Sequence, residues 1–146
     1  MLGPSHGGVK ANRVLAVLVG CTLVAGGCFW RQYPARLATH TEVLLGIARK
    51  AHDLVVTGRF TAENLPELTY PLERATAYAH DVHAHGGAAR PSLVAFETLI
   101  ARYRTYVEAV DHARMETGAP ATSLDVPLAA LTTAADEVTA ALAKER

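Results

Sequence analysis

From Pro34 onward, apolar residues return every three or four positions almost without a break, the spacing of one face of an α-helix. The first stripe runs Leu37, Leu44, Ile47, Ala51 and Leu54, with His40 on the same face and Gly58 as the stop. The second runs Leu65, Leu68, Leu72, Ala75, Ala79 and Val82, with Asn64 and Glu67 spaced as a capping box and Gly86-Gly87 at its end. The third carries Leu93, Phe96, Ile100, Tyr103, Val107 and Val110, opened by Pro91 and closed by Gly118. Leu99, Tyr106 and Ala113 lie beside it and widen its apolar face, as the core of a bundle requires. The fourth carries Leu124, Leu128, Leu131, Ala135, Val138 and Leu142, with Ser123 or Asp125 as its cap. The links are short, so neighbouring helices run antiparallel. The pattern predicts an all-α, up-down-up-down four-helix bundle.

Before Pro34 the pattern changes. Residues 14–30 read VLAVLVGCTLVAGGCFW, with no charge inside, Lys10 and Arg13 before and Arg31 after. This is a targeting or anchoring segment rather than part of the fold. The expected division is therefore residues 1–30 as signal or anchor and 31–146 as the bundle. The run "AGGC" ending at Cys28 resembles a bacterial lipobox, in which small residues precede a cysteine that becomes a lipidated N-terminus. "LVGC" ending at Cys21 is the alternative box, with only the apolar residues 14–19 ahead of its glycine. Two other readings stay open. One is an uncleaved single-pass anchor at the short limit for spanning hydrocarbon, with Phe29, Trp30 and Tyr33 suited to the interface. The other is an ordinary cleaved signal using Ala25 and Gly27. Lipidation at Cys28 is favoured over a plain anchor. Each reading puts the remainder on the periplasmic or extracytoplasmic side, and the first two tether it to a bacterial cell membrane or outer membrane.

A second regularity supports the helix pairing. At a shift of 56 residues, "LTYPLERATAYAHDV" (68–82) lies over "LDVPLAALTTAADEV" (124–138) with six identities. The same shift lays the first stripe over the third. Matching phase alone carries little weight, because 56 is a multiple of seven, but Pro71 with Pro127 and Thr76 with Thr132 are not required by phase. The match reads as two copies of a helical hairpin packed about a pseudo-twofold axis.

Composition narrows the partners. Of 14 basic and 14 acidic residues, Lys10 and Arg13 precede residue 31, leaving 12 basic against 14 acidic in the bundle. A slightly acidic body lacks the footprint of a nucleic-acid binder. Cys21 and Cys28 are the only cysteines, so none lies in the folded part. CxxCH, Glu-x-x-His, HExxH and Gly-rich phosphate loops are all missing from the sequence. Nothing in it argues for catalysis or for a cofactor, and the partner expected besides the membrane is an unidentified protein.

One cluster carries candidate chemistry: "AHDVHAHGG" (79–87), with three of the seven histidines. His80 and His83 are three apart and share a helix surface; His83 borders the stripe and His80 lies further out. Antiparallel pairing through the first turn puts His40 level with about residue 81. Pairing through the second turn brings His83 toward Glu97, about one turn beyond level. Four residues, His40, His83, Glu97 and His80, are thus the candidate ligands of a divalent metal at the membrane-proximal end, with zinc or another transition ion suited to imidazole and carboxylate. The default reading is plainer. Histidines in the last turns of a helix suit the negative end of its dipole, and the repeat aligns His80 and His83 with Asp136 and Thr139. His40 aligns with Phe96, which marks a core slot. His52 and His112 fall off the stripes and are expected to be exposed.

Overall fold

The computed structural model describes the backbone over residues 9–116 and 121–145 and the side chains over 27–116 and 123–145. Four helices follow in order: α1 (Val9–Val56), α2 (Leu65–Ala84), α3 (Pro91–Met115) and α4 (Asp125–Lys144). Short 3-10 turns, Ala62–Asn64 and Ala121–Leu124, precede α2 and α4. No strand occurs among the described residues. The chain divides into two compact units, Met1–Pro34 and Ala35–Arg146. The division falls at Pro34, an interior proline of α1, which lacks the N–H that would continue the helical ladder. It lies four residues beyond the boundary expected from sequence, and α1 starts at Val9 rather than near Pro34.

The second unit is an up-down-up-down four-helix bundle. Cross-helix contacts give its directions. Lys50, late in α1, meets Glu67, early in α2, at 2.7 Å, and His52 meets Asp125 at the start of α4 at 2.9 Å. The Tyr106 hydroxyl, late in α3, donates to the Ala48 carbonyl of α1 at 2.8 Å, so α1 and α3 run the same way. The Tyr103 hydroxyl donates to the Leu68 carbonyl of α2 at 3.1 Å.

The predicted stripes supply the core. Leu37, Leu44, Leu68, Val82, Leu93, Phe96, Tyr103, Val110, Leu131 and Val138 are fully buried. Leu99 and Tyr106, beside the third stripe, are buried as completely, which is why α3 holds the largest side chains at the centre. Burying such side chains stabilises the fold by about 1.5–3 kcal/mol each before the entropy of ordering is subtracted. Between α2 and α4 the 56-residue shift pairs positions of like burial: Leu68 with Leu124, Ala79 with Ala135 and Val82 with Val138 are buried, and Leu72 with Leu128 are half-buried. Between α1 and α3, Leu37 with Leu93 and Leu44 with Ile100 match, but Ile47 with Tyr103 and Leu54 with Val110 do not. Among the described residues only α4 is long and apolar enough to cross a membrane by length and composition. Leu131, Ala134, Ala135, Val138 and Leu142 form its buried side, and its main packing partner is α3, the situation of a core helix.

Two helix ends follow the glycine prediction closely. Gly58 has φ +65° and Gly86 φ +82°. At the first, Arg59 N–H reaches Leu54 O (2.8 Å) and Gly58 N–H reaches Val55 O (2.9 Å); at the second, Gly87 N–H reaches Val82 O and Gly86 N–H reaches His83 O, both 2.9 Å. This is the Schellman pairing, which needs a left-handed residue after the last helical turn.

The starts differ from expectation. Asn64 is the N-cap of α2 but makes no side-chain cap bond; its Oδ1 turns back to Thr61, accepting from the backbone N–H at 2.9 Å, while Glu67 goes to Lys50. Leu124, not Ser123 or Asp125, is the N-cap of α4. Ser92 is two residues past the N-cap Arg90 of α3, and its backbone N–H donates to Glu145 Oε1 at 2.8 Å. Its hydroxyl donates to Glu145 Oε2 at 2.9 Å, and Arg90 Nη1 approaches the same oxygen at 3.2 Å. A carboxylate from the far end of α4 therefore caps α3, where the helix presents unpaired N–H groups and a partial positive charge. Gly118 lies outside the described residues.

Candidate functional site

The histidine cluster occupies the last two turns of α2. Its register comes from the apolar spacing: Ala75, Ala79 and Val82 point inward, which leaves His80 and His83 on the flank facing α3. His83 Nε2 lies 2.7 Å from Glu97 Oε1 of α3, across the groove between the two helices. Both side chains are about two-fifths exposed, at 41% and 44%. His80 lines the same open depression, with Thr76, Ala79 and Ile100. His85 is used otherwise. Its Nδ1 donates to the Asp81 carbonyl at 2.8 Å, so the ring closes the end of α2. A carbonyl only accepts, which fixes the proton on Nδ1.

His40 does not join them. Its ring stacks on Tyr78 at 4.8 Å and 28° and lies 6.2 Å from Phe96. Tyr78 is three residues short of position 81, so the α1–α2 register is about one turn off the level inferred from loop length. Burial among these rings pushes the His40 imidazole pKa below its ordinary 6.5, and the guanidiniums of Arg74 and Arg36 push it the same way. A neutral imidazole in an aromatic slot matches its alignment with Phe96.

Of the four candidate ligands, the structure brings together His83 and Glu97, sets His80 beside them and places His40, half-buried, against the rings of Tyr78 and Phe96. Among the described residues no group of three or more His, Cys, Asp or Glu side chains stands where it could hold a metal ion. As arranged, the His83–Glu97 pair is a hydrogen-bonded contact between helices that can share a proton.

The sequence missed a second histidine contact. His52 was expected to be exposed, yet its side chain is 18% exposed and its Nε2 meets Asp125 Oδ1. Only the neighbourhood of α1 and α4 makes that contact, and no spacing along the chain signals it. His112 is exposed as expected, 3.5 Å from Glu116. Of the two tyrosines beside the second stripe, Tyr78 is buried and Tyr70 is exposed under the Arg74 guanidinium.

In the first unit, Phe29 and Trp30 meet edge to face at 5.2 Å, and Trp30 lies 5.5 Å from Tyr33. Cys28 carries a free, exposed thiol. Cys21 lies outside the residues whose side chains are described. No known family, curated protein or solved structure matches the chain.

Proposed function

We propose that the chain is a membrane-tethered extracytoplasmic helical bundle that serves as a binding or structural accessory. The observation that carries this reading is the uncharged run of residues 14–30, held between Lys10 and Arg13 on one side and Arg31 on the other. The aromatic pair Phe29 and Trp30 supports it, since aromatic rings suit the membrane–water boundary, whereas Tyr33, expected there too, is buried instead. The free, exposed Cys28 supports lipidation at the end of the "AGGC" run. In the bundle, the large aromatic side chains that a ligand pocket would use are spent filling the interior: Phe96, Tyr103 and Tyr106 are fully buried. The matched burial of α2 and α4 at the 56-residue shift supports an origin in a duplicated hairpin, although α1 and α3 match at fewer positions.

The test is the fate of the N-terminus. The full chain, expressed in a bacterial host, is expected in the membrane fraction with the mass of a lipidated chain beginning at Cys28. Cys28→Ser should abolish the lipid and leave an uncleaved anchor. Recovery of the chain in the soluble fraction, with residues 14–30 either present or removed, overturns the tether. Cross-linking of the tethered chain in intact cells then tests the accessory role.

A further inference from the structure

His40 differs from the other described histidines in facing aromatic rings rather than an acid or a helix end. On α2 it meets Tyr78, whose ring stacks on it at 4.8 Å, and on α3 it meets Phe96 at 6.2 Å. The charged groups that disfavour a proton on it, beside its burial, are Arg74 on α2 and Arg36 on α1. Glu97, next to Phe96, is engaged by His83 at 2.7 Å.

We propose that this nest is an acid-sensitive latch: when His40 takes up a proton, the hold of α1 on α2 and α3 loosens. The added charge would lie partly desolvated among rings and near two guanidiniums, and both the burial and the guanidiniums oppose it. The face of Tyr78 offsets part of this by cation–π attraction but does not reverse it, because burial and both arginines act against the charge. Phe96 is the residue aligned with His40 at the 56-residue shift, which makes phenylalanine the neutral aromatic replacement to try.

The direction follows from proton binding. In the unfolded chain His40 titrates near 6.5, and in the bundle it titrates lower. Between the two values the unfolded chain holds the extra proton. The contribution of His40 to stability is therefore complete above 6.5, falls as pH drops through the window and levels off below the folded value. Within the window each pH unit lowers the folded-to-unfolded ratio by up to about tenfold. The latch stands on the bundle alone and does not depend on the tether.

The test uses the full chain in detergent micelles. Denaturant unfolding is measured from about pH 7.5 to about pH 5, the range in which histidines change charge. The wild-type chain is expected to lose stability relative to His40→Phe as pH falls. The His40 ring, assigned in NMR spectra as the signal missing from the variant, should titrate below 6.5. Amide exchange, corrected for its intrinsic pH dependence, should speed up over residues 35–44 before it does in α3 and α4. Parallel stability loss in both chains, titration at or above 6.5, or uniform acceleration across the four helices each overturns the latch. If His40→Phe does not fold, His40→Gln serves as the neutral reference.

Discussion

Tyr103 and Tyr106 bring hydroxyls into a largely apolar interior, and each finds a helix carbonyl, Leu68 O or Ala48 O. Burial pushes both phenol pKa values up, helped for Tyr103 by Tyr106 and for Tyr106 by Asp53, so both act as neutral donors. Tyr106→Phe keeps the ring and removes the bond to α1. A loss of about 1 kcal/mol is expected in denaturant unfolding, with the helical circular-dichroism signal retained. Phe96→Ala, which empties a fully buried aromatic site, should cost about 3–5 kcal/mol. Spacing alone marked Phe96, Tyr103 and Tyr106 as core, because a side chain on the inward stripe of a helix is buried whatever its chemistry. Its alignment with Phe96 marked His40 as core too, and there the outcome is partial: His40 is half-buried against Tyr78 and Phe96. It failed for His52, which sits off the stripe and is covered only because α4 begins beside it.

Helix ends were half legible. Gly58 and Gly86 stand out in sequence because a left-handed residue after a helix favours glycine, and the Schellman bonds form there. Gly86→Ala has open space for its methyl group but retains φ +82°, so a destabilisation of about 1 kcal/mol is expected from backbone strain alone. The starts were less legible. A local pattern such as Asn64-x-x-Glu67 is only one of several uses for those side chains, and Lys50 on α1 takes Glu67 instead. The cap of α3 comes from Glu145, 53 residues away from Ser92, beyond the reach of any local rule. Glu145→Gln keeps the shape and removes the charge. A loss of about 1 kcal/mol in thermal unfolding is expected, with Glu145→Ala costing more.

At the scale of the molecule, helix number, order and direction were all present in the spacing of apolar residues, since short turns leave neighbouring helices only an antiparallel arrangement. The register was not. Loop length fixes it to about one turn, and that turn separates His40 from the ligands proposed for it. Cohesion comes from the apolar interior; the Glu145 contact is part-buried, while pairs such as Lys50 with Glu67 lie at the surface. Lys50 and Glu67 are 58% and 50% exposed, and such pairs contribute little. Replacing both by alanine should therefore shift the unfolding midpoint only slightly. Wild-type stability should likewise differ little between low and high salt.

The carboxylate that holds Arg90 and Ser92 stands at the C-cap of α4. One side chain thus clasps the start of α3 to the end of α4. Without it the two helix ends are expected to fray together, seen as faster amide exchange at both in Glu145→Ala.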